Sequence, residues 1–381
     1  MSILKKVIYK LNLSEVIYRI QSRIKCGKSI MFTDYVEALD YLHDIYPDLG
    51  KSCIIDRILP PSDCDLEVIV PCYNAEKYVE ECIDSILSQE TSFSFFVTII
   101  NDGSLDRTRE ILQKYSSESN VRIIDQDNLG HSGARNTGIA QVHGRYLMFV
   151  DSDDVLLPGA IDGLMTLANE NDADVVDSGH IRFADSTNKG GITRFLARIY
   201  DFMQLPQILP YNVSSKTMTG FPCGKVIKSE LFSNIQFPLG YWFEDTLIWM
   251  ILFPLSKRIV TWDEISFRYR MNPSSISHTF KESTKSIDTL YVTLSLLKDR
   301  ENLGIQFDSY QYDLLLSQMR LNFRRVEHFG LMIKQAIFRV QHDIIANRFV
   351  TYCTKNPKVK PIEDFLRNND YYGFELWCRW H

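Results

Sequence analysis

Residues 66–74 read LEVIVPCYN, an aliphatic and β-branched run with one glutamate near its start that ends in polar residues. Such a run predicts a strand that is buried on both faces, as the strands of parallel sheets are. Apolar residues then recur at helical spacing over residues 78–87, and Asn74 is a residue type that caps such a helix. The stretch therefore predicts a buried strand followed by an amphipathic helix.

The same unit of strand and helix recurs further along the chain. Alternating strands and helices of this length predict an α/β fold, with a mostly parallel, Rossmann-like sheet covered by helices on both faces. Further strands are predicted at 96–102 (FVTIIND), 121–125 (VRIID), 145–150 (RYLMFV) and 173–183 (ADVVDSGHIRF). Helices are predicted at 107–115 and 158–171, and a glycine-rich loop at 128–136 opens another.

Polar clusters follow three of these strands, at the point where each strand ends. They are Tyr73-Asn74, residues 101–104 (NDGS) and Asp151-Ser152-Asp153. Ligands bind beyond the carboxyl ends of parallel strands, so these side chains are predicted to line one site. Neighbouring carboxylates repel one another unless a cation lies among them, and hard oxygen ligands suit Mn²⁺ or Mg²⁺ with a phosphate-bearing substrate. A solvated acidic turn is the alternative. Asp154, which comes next, is expected to cap the following turn.

Composition excludes several classes of protein. The formal net charge is -6, so no global basic field recruits nucleic acid, and we predict no nucleic-acid partner. The eight cysteines contain no C-x-x-C pair, which favours reduced thiols in a cytoplasmic protein. No apolar run approaches the roughly 20 residues of a membrane-spanning helix, and no signal peptide is predicted.

The two ends of the chain predict helices with basic faces. Residues 1–25 form an amphipathic pattern in which lysine and arginine outnumber glutamate, and this pattern suits peripheral contact with an anionic membrane surface. A helix packed on the main domain with a solvated basic face explains the same pattern. Beyond residue 281 apolar residues again recur at helical spacing. The basic residues there are predicted to face a membrane or the phosphates of an acceptor lipid, with a solvated surface or a homodimer interface as the alternative; they are Arg320, Arg324 and Arg325.

Six motifs follow one another in order across residues 66–280. They read VIVPCYNAEKYVEECIDSILSQ, INDGSLDRT, NLGHSGARNTGI, GRYLMFVDSDD, GYWFEDTLIW and YRMNPSSIS. Together they resemble family 2 of the inverting nucleotide-sugar glycosyltransferases, of the bacterial surface-polysaccharide type. The resemblance implies a GT-A fold over residues 65–280, with a helical N-terminal extension over residues 1–64 and a helical C-terminal region over residues 281–381.

The resemblance also implies where the base of a nucleotide sugar binds. Pro71, Tyr73 and Asn74 match positions that cradle the base. Asp102 matches the position that accepts the uracil imide proton, which makes UDP the expected carrier. The family often has two aspartates here, whereas this chain has Asn101 before Asp102. Because the second position reads the base, UDP binding is still expected.

Further matching positions are expected around the diphosphate. Arg135 matches a position whose guanidinium forks onto phosphate oxygens, with pairing to a surface carboxylate as the alternative. Asp151 and Ser152 begin the D-x-D motif, whose first carboxylate reaches ribose or metal. Asp153 ends the motif and is expected to bind Mn²⁺ or Mg²⁺ directly. His278 is a further expected metal ligand, with a structural histidine as the alternative.

Glu244 and Asp245 match the family's E-D pair, whose aspartate removes the proton from the acceptor hydroxyl. Neighbouring aromatic side chains are expected to desolvate this carboxylate and make it a stronger base. The alternative is an acidic helix N-terminus that the macrodipole stabilises. The implied mechanism is one displacement at the anomeric carbon, which inverts its configuration.

The function that the resemblance implies is transfer of a hexose or N-acetylhexosamine from a UDP-sugar to a glycan or lipid-linked oligosaccharide at the inner face of the cell membrane. Two alternatives stay open. The first is a nucleotidyltransferase acting on a sugar phosphate, although the chain has PCYNAEKY after its first strand instead of a glycine-rich, lysine-bearing loop. The second is a non-catalytic scaffold of a polysaccharide-assembly complex, which predicts function without Asp153 or Asp245.

Overall fold

The computed structural model describes residues 31–184, 192–193, 198–201, 218, 220–272, 275 and 279–380. The chain divides into two compact units. One comprises Met1–Asp48, Thr279–Tyr291 and Phe307–His381, and the other comprises Leu49–His278 and Val292–Gln306. The amphipathic pattern over residues 1–25 lies outside the described residues. The domain boundaries expected after residues 64 and 280 stay predictions.

The larger unit is built on a 10-stranded sheet with the order β3-β2-β1-β4-β9-β6-β10-β5, in which β7 pairs with β6 and β8 pairs with β10. The strands are β1 Cys64–Cys72, β2 Phe95–Asp102, β3 Val121–Gln126, β4 Gly144–Phe149, β5 Val155–Leu156, β6 Val175–Phe183, β7 Ile192–Thr193, β8 Arg198–Asp201, β9 Lys225–Lys228 and β10 Arg258–Arg270. Strands β1 to β4 are parallel, as are β6 and β10, whereas β9 runs antiparallel to β4 and β6. The α/β fold with a mostly parallel sheet is confirmed.

Strand β1 positions the polar edge of this sheet because it lies between β2 and β4. Cys72 is opposite Asn101 of β2, and Ile69 is opposite Phe149 of β4. Residues 68–70 are fully buried, as the continuous apolar run predicts, and each such aliphatic side chain contributes about 1.5–3 kcal/mol by burial. The carboxyl ends of β1, β2 and β4 therefore meet at one edge.

Helices follow the strands, as the sequence predicts. They are α1 Tyr35–Ile45, α2 Val79–Leu87, α3 Thr108–Leu112, α4 Gly130–Ala140, α5 Ala160–Glu170, α6 Phe253–Leu255, α7 Asp288–Asn302, α8 Ser309–Arg325, α9 Leu331–Asp343, α10 Lys360–Arg367 and α11 Tyr371–Trp380. Helix α2 buries Val79, Cys82, Ile83 and Ile86. Helix α4 packs closely on β1, since a Cβ atom at Gly138 would lie 2.5 Å from Cγ2 of Ile69.

The smaller unit is helical and has an aromatic core. The rings of Phe323 and Phe374 lie 5.1 Å apart, and those of Phe338 and Tyr371 lie 5.6 Å apart. All four side chains are buried. Helices α7 to α11 confirm the helices predicted beyond residue 281. In the part of the chain that the structure describes, no helix combines the length and the apolar character needed to cross a membrane.

Candidate active site

The loops after β1 and β2 are joined by hydrogen bonds at the polar edge. The Asn74 N–H donates to Oγ of Ser104 (3.0 Å), and the Leu105 N–H donates to Oδ1 of Asn74 (2.8 Å). Asn74 has a φ of 48°, a left-handed conformation that asparagine tolerates better than most residues. The expectation that Asn74 caps a helix is wrong, because α2 begins only at Val79 with Tyr78 at its N-cap.

The expected base-binding residues lie at this edge with different exposure. Pro71 is buried within β1, whereas the Tyr73 side chain stands out from the edge with 48% of its surface exposed. Ser152, in the neighbouring loop, is half-buried. Tyr73 and Asn74 are thus the expected base-binding residues that face solvent.

Asp102 organises the loop that leads into α4. Its Oδ1 accepts hydrogen bonds from Nε2 of Gln126 (2.7 Å) and from the Leu129 N–H (2.8 Å), and its Oδ2 accepts one from the Gly130 N–H (2.9 Å). Each carboxylate oxygen has about two acceptor sites, so Oδ2 retains one. Gly130 has a φ of 74°, which glycine adopts without strain. Asp102 therefore holds this loop in addition to any contact with a ligand.

Arg135, on α4, links two of the expected functional segments. Its Nη1 donates to Oε1 of Glu244 (2.5 Å), and its Nη2 donates to Oδ1 of Asp151 (3.0 Å). The side chain is 4% exposed, and the guanidinium lies 5.3 Å from the ring centre of Phe237. Burial alone would lower the pKa of Arg135, but the charges of Asp151 and Glu244 raise it above its usual value. The arginine is therefore a fixed cation between two carboxylates.

The acidic loop after β4 carries carboxyl groups in three different environments. Burial would raise the pKa of Asp151, but Arg135 and then His131 hold it below its usual value. Burial and the charge of Asp151 raise the pKa of half-buried Asp153. Burial and both neighbouring aspartates raise the pKa of Asp154 well above its usual value. The loop thus combines one strongly ionised carboxylate with two that a cation would help to ionise.

Asp154 is fully buried, and its role differs from the sequence prediction. Its Oδ1 accepts from the Arg270 N–H at the end of β10 (2.9 Å), so it ties the loop to β10 and the turn-cap interpretation is wrong. Its Oδ2 is buried without a hydrogen-bond partner among the described residues.

The carboxyl groups of this loop fit a divalent cation. Ligand atoms of Asp151, Asp154 and the buried Cys223 lie within 4.8 Å of one another. Burial, followed by the two aspartates, raises the pKa of the Cys223 thiol well above its usual value, which favours the protonated thiol, a poor ligand. Carboxylate oxygens are the donors that Mn²⁺ and Mg²⁺ prefer. The oxygen donors, including the unpartnered one on Asp154, therefore suit such an ion.

Glu244 and Asp245 lie at the start of a helical segment with an unusual backbone. Phe243, just before them, has a φ of 64°, which is uncommon for an aromatic residue. A π-helical turn over Ile248–Leu252 then precedes α6. Arg300 of α7 donates from Nη1 to the Met250 carbonyl (2.5 Å) within this turn. Such turns occur frequently at functional sites.

The carboxylates of Glu244 and Asp245 differ in their exposure. Asp245 is half-buried, whereas Glu244 is buried and binds Arg135. The alternative, an acidic helix N-terminus that the macrodipole stabilises, explains neither the ion pair of Glu244 with Arg135 nor the left-handed backbone of Phe243.

His278 lies outside the described residues, so its role as a metal ligand stays a prediction. The structure brings six of the other expected residues together in two groups. Arg135 is in direct contact with both Asp151 and Glu244, while Tyr73 and Asn74 lie with Asp102 at the ends of β1 and β2. Sequence reasoning missed four residues whose side chains make long-range contacts around the site, and no local pattern distinguishes them. They are Glu81, Cys223, Asn272 and Arg300.

Comparisons with known proteins agree with this architecture. Residues 67–235 match the family model described as Glycosyl transferase family 2. The chain is 31% identical over 227 residues to the glycosyltransferase GlyG of Streptococcus pneumoniae, an alignment that covers 56% of this chain and 73% of GlyG. It is 28% identical over 256 residues to GlyA of the same organism, covering 65% of this chain but only 36% of GlyA.

A solved structure supports the fold. The structure of S. aureus TarS in complex with UDP-GlcNAc superposes with a TM-score of 0.61 and 20% identity, covering 82% of this chain and 89% of that chain. At this identity the likeness concerns the fold, and it is consistent with a GT-A-type sheet.

Proposed function

This chain belongs to glycosyl transferase family 2, and we propose that it transfers a hexose or N-acetylhexosamine from a UDP-sugar to a hydroxyl of a lipid-linked glycan, with inversion. The observation that carries the proposal is the contact of Arg135 with both Asp151 and Glu244. A single buried guanidinium thereby joins the loop expected to hold the donor to the segment expected to activate the acceptor. A one-step displacement requires these two sites side by side.

The donor half of the proposal rests on the ends of β1, β2 and β4. The exposed Tyr73 ring and the remaining acceptor site of Asp102 suit an aromatic base with an N–H donor. The structurally similar TarS was solved with UDP-GlcNAc, which supports a uridine nucleotide. Because both terminal nitrogens of Arg135 already bind carboxylates, we assign Arg135 to positioning those carboxylates instead of to direct contact with phosphate.

We assign the divalent cation to Asp151 and, from the motif resemblance, to Asp153, although Asp153 is not in the group of close ligand atoms that Asp151, Asp154 and Cys223 form. When bound, such an ion neutralises charge on a leaving diphosphate. Until then the two carboxylates repel each other, and the raised pKa of Asp153 reflects burial together with that repulsion. Arg135 compensates the charge of Asp151. Of the two expected ligands, the half-buried Asp153 therefore depends more on the cation for compensation of its charge.

On the acceptor side we assign the general base to Asp245. It is half-buried, so a sugar hydroxyl can reach it, and a carboxylate so placed can take the hydroxyl proton as the oxygen attacks. Glu244 is held by Arg135 and fixes the start of the helical segment that carries Asp245. Assignment of the product to a surface polysaccharide at the inner face of the membrane follows the motif resemblance.

UDP release from a panel of UDP-sugars, with Mn²⁺ and with EDTA, tests this function. We expect one sugar to give slow metal-dependent hydrolysis even without an acceptor. Release of pyrophosphate from a nucleoside triphosphate in the presence of a sugar phosphate would instead identify a nucleotidyltransferase. Absence of both turnover and metal-dependent UDP binding would favour a scaffold and overturn the proposal.

A further inference from the structure

Arg270, the last residue of β10, makes two hydrogen bonds to the acidic loop that follows β4. Its Nε donates to the Asp153 carbonyl (2.7 Å), and its backbone N–H donates to Oδ1 of Asp154 (2.9 Å). The side chain is only 5% exposed. A rigid, buried guanidinium of this kind fixes the backbone that it binds, and here that backbone carries the expected metal ligand.

The other end of the guanidinium is fixed by helix α2. Nη2 of Arg270 donates to Oε2 of Glu81 (2.5 Å), and Cζ of Arg270 lies 4.4 Å from the ring centres of both Tyr78 and Phe183. Glu81 itself is on the surface, with 52% of its side chain exposed. An exposed carboxylate on α2 is therefore connected to the Asp153 backbone through one arginine.

Helix α2 and the residues after β10 make further contacts with the same loop. Sγ of Cys82 on α2 lies 3.5 Å from the Asp151 carbonyl, and the N–H of Leu156, in the strand β5 that follows the loop, donates to Oγ of Ser85 on α2 (3.0 Å). Nδ2 of Asn272 donates to Oδ2 of Asp153 (3.1 Å). The acidic loop is thus oriented through its backbone by α2, and through a carboxylate oxygen by the segment after β10.

We propose that Glu81 and Arg270 form a positioning pair that sets the metal affinity of Asp153, without contact to substrate or metal. The inference rests on the proposed metal-dependent function. Partners that orient a metal ligand change metal affinity by roughly 10–100-fold when they are removed. Since Glu81 is exposed, neutralising it leaves the fold intact while it removes one anchor of Arg270.

The chain offers a matched control on the same helix. Glu80 is 50% exposed and pairs with Lys114 at 2.7 Å, so Glu80→Gln removes an equivalent charge and an equivalent ion pair from α2. Mn²⁺ binding in the presence of saturating UDP is measured by electron paramagnetic resonance of the free ion, for wild type, Glu81→Gln, Glu80→Gln and Arg270→Lys. This readout does not depend on turnover.

We expect Glu81→Gln to weaken Mn²⁺ binding by about tenfold, and Glu80→Gln to leave it unchanged, while both variants melt at the same temperature. Arg270→Lys is expected to weaken binding as well, and combining it with Glu81→Gln to add little further, because the two residues act as one unit. Wild-type affinity in Glu81→Gln, or equal losses in both glutamine variants, would overturn the inference alone. If wild type with UDP binds no Mn²⁺, the proposed function fails with it.

Discussion

Replacement of Arg135 by methionine is expected to destabilise the protein strongly, because it leaves two carboxylates without their cation. The arginine binds Glu244 at 2.5 Å and Asp151 at 3.0 Å, and these carboxylate side chains are 11% and 29% exposed. Removing one member of a buried ion pair costs about 3–5 kcal/mol, and the partial exposure of Asp151 favours the lower value. For a unit of this size, such a loss lowers the melting temperature by about 6–12 °C.

Two further variants, measured by thermal melting, separate the effect of the charge of Arg135 from the effect of its forked guanidinium geometry. Arg135→Lys retains the charge but not the fork, so we expect it to melt between wild type and Arg135→Met. Adding Glu244→Gln to Arg135→Met removes one of the orphaned charges, so the double variant should lose less stability than the sum of its parts. Melting of Arg135→Met at the wild-type temperature, or strictly additive losses, would refute the bridging role.

Three further outcomes are expected. Asp245→Asn should keep Mn²⁺-dependent UDP binding, measured by calorimetry, and lose sugar transfer by about 10²–10⁴-fold; unchanged turnover would exclude Asp245 as the base. Lys225→Met removes the buried cation that lies 2.8 Å from Asp177, and the two side chains are 0% and 1% exposed. We therefore expect it to lower the free energy of unfolding by about 3–5 kcal/mol in denaturant titration, and Asp177→Leu to restore part of that loss. Burial, followed by the charges of Arg182 and Lys225, lowers the pKa of His180 to about 4. Between pH 6.5 and pH 4 the unfolded state therefore binds more protons than the folded state, so the stability that is present above pH 6.5 is lost as the pH falls towards 4. His180→Phe should flatten this decline in a melting series against pH, and an unchanged slope would contradict it.

The sheet could be predicted from sequence because its signals are local. The apolar run of residues 68–72 predicts a strand that is buried on both faces. Such a strand lies in the interior of a sheet, as β1 does between β2 and β4. The parallel order then brings Asp102 and Asp151 to the same edge without any knowledge of side-chain contacts. Residue type and strand direction therefore suffice to locate the candidate site.

The partners of these residues could not be predicted, because they are distant in sequence. Arg135 meets Glu244 across 109 positions, and Glu81 meets Arg270 across 189. The prediction for Asp154 was wrong for the same reason, since its backbone donor belongs to β10 and not to the next turn. Asn74 has a capping side chain, but its own left-handed backbone directs that side chain to the loop after β2.

Calorimetric titration of UDP with and without Mn²⁺, comparing wild type with Asp153→Ala, tests the central claim most directly. Asp63→Ala serves as the control, because the Asp63 side chain is 75% exposed and lies at the opposite end of β1. We predict that Mn²⁺ strengthens UDP binding to wild type and to Asp63→Ala, and that Asp153→Ala abolishes this enhancement. UDP binding that is indifferent to Mn²⁺ in wild type, or an enhancement that survives in Asp153→Ala, would contradict a metal-dependent UDP-sugar site on the acidic loop.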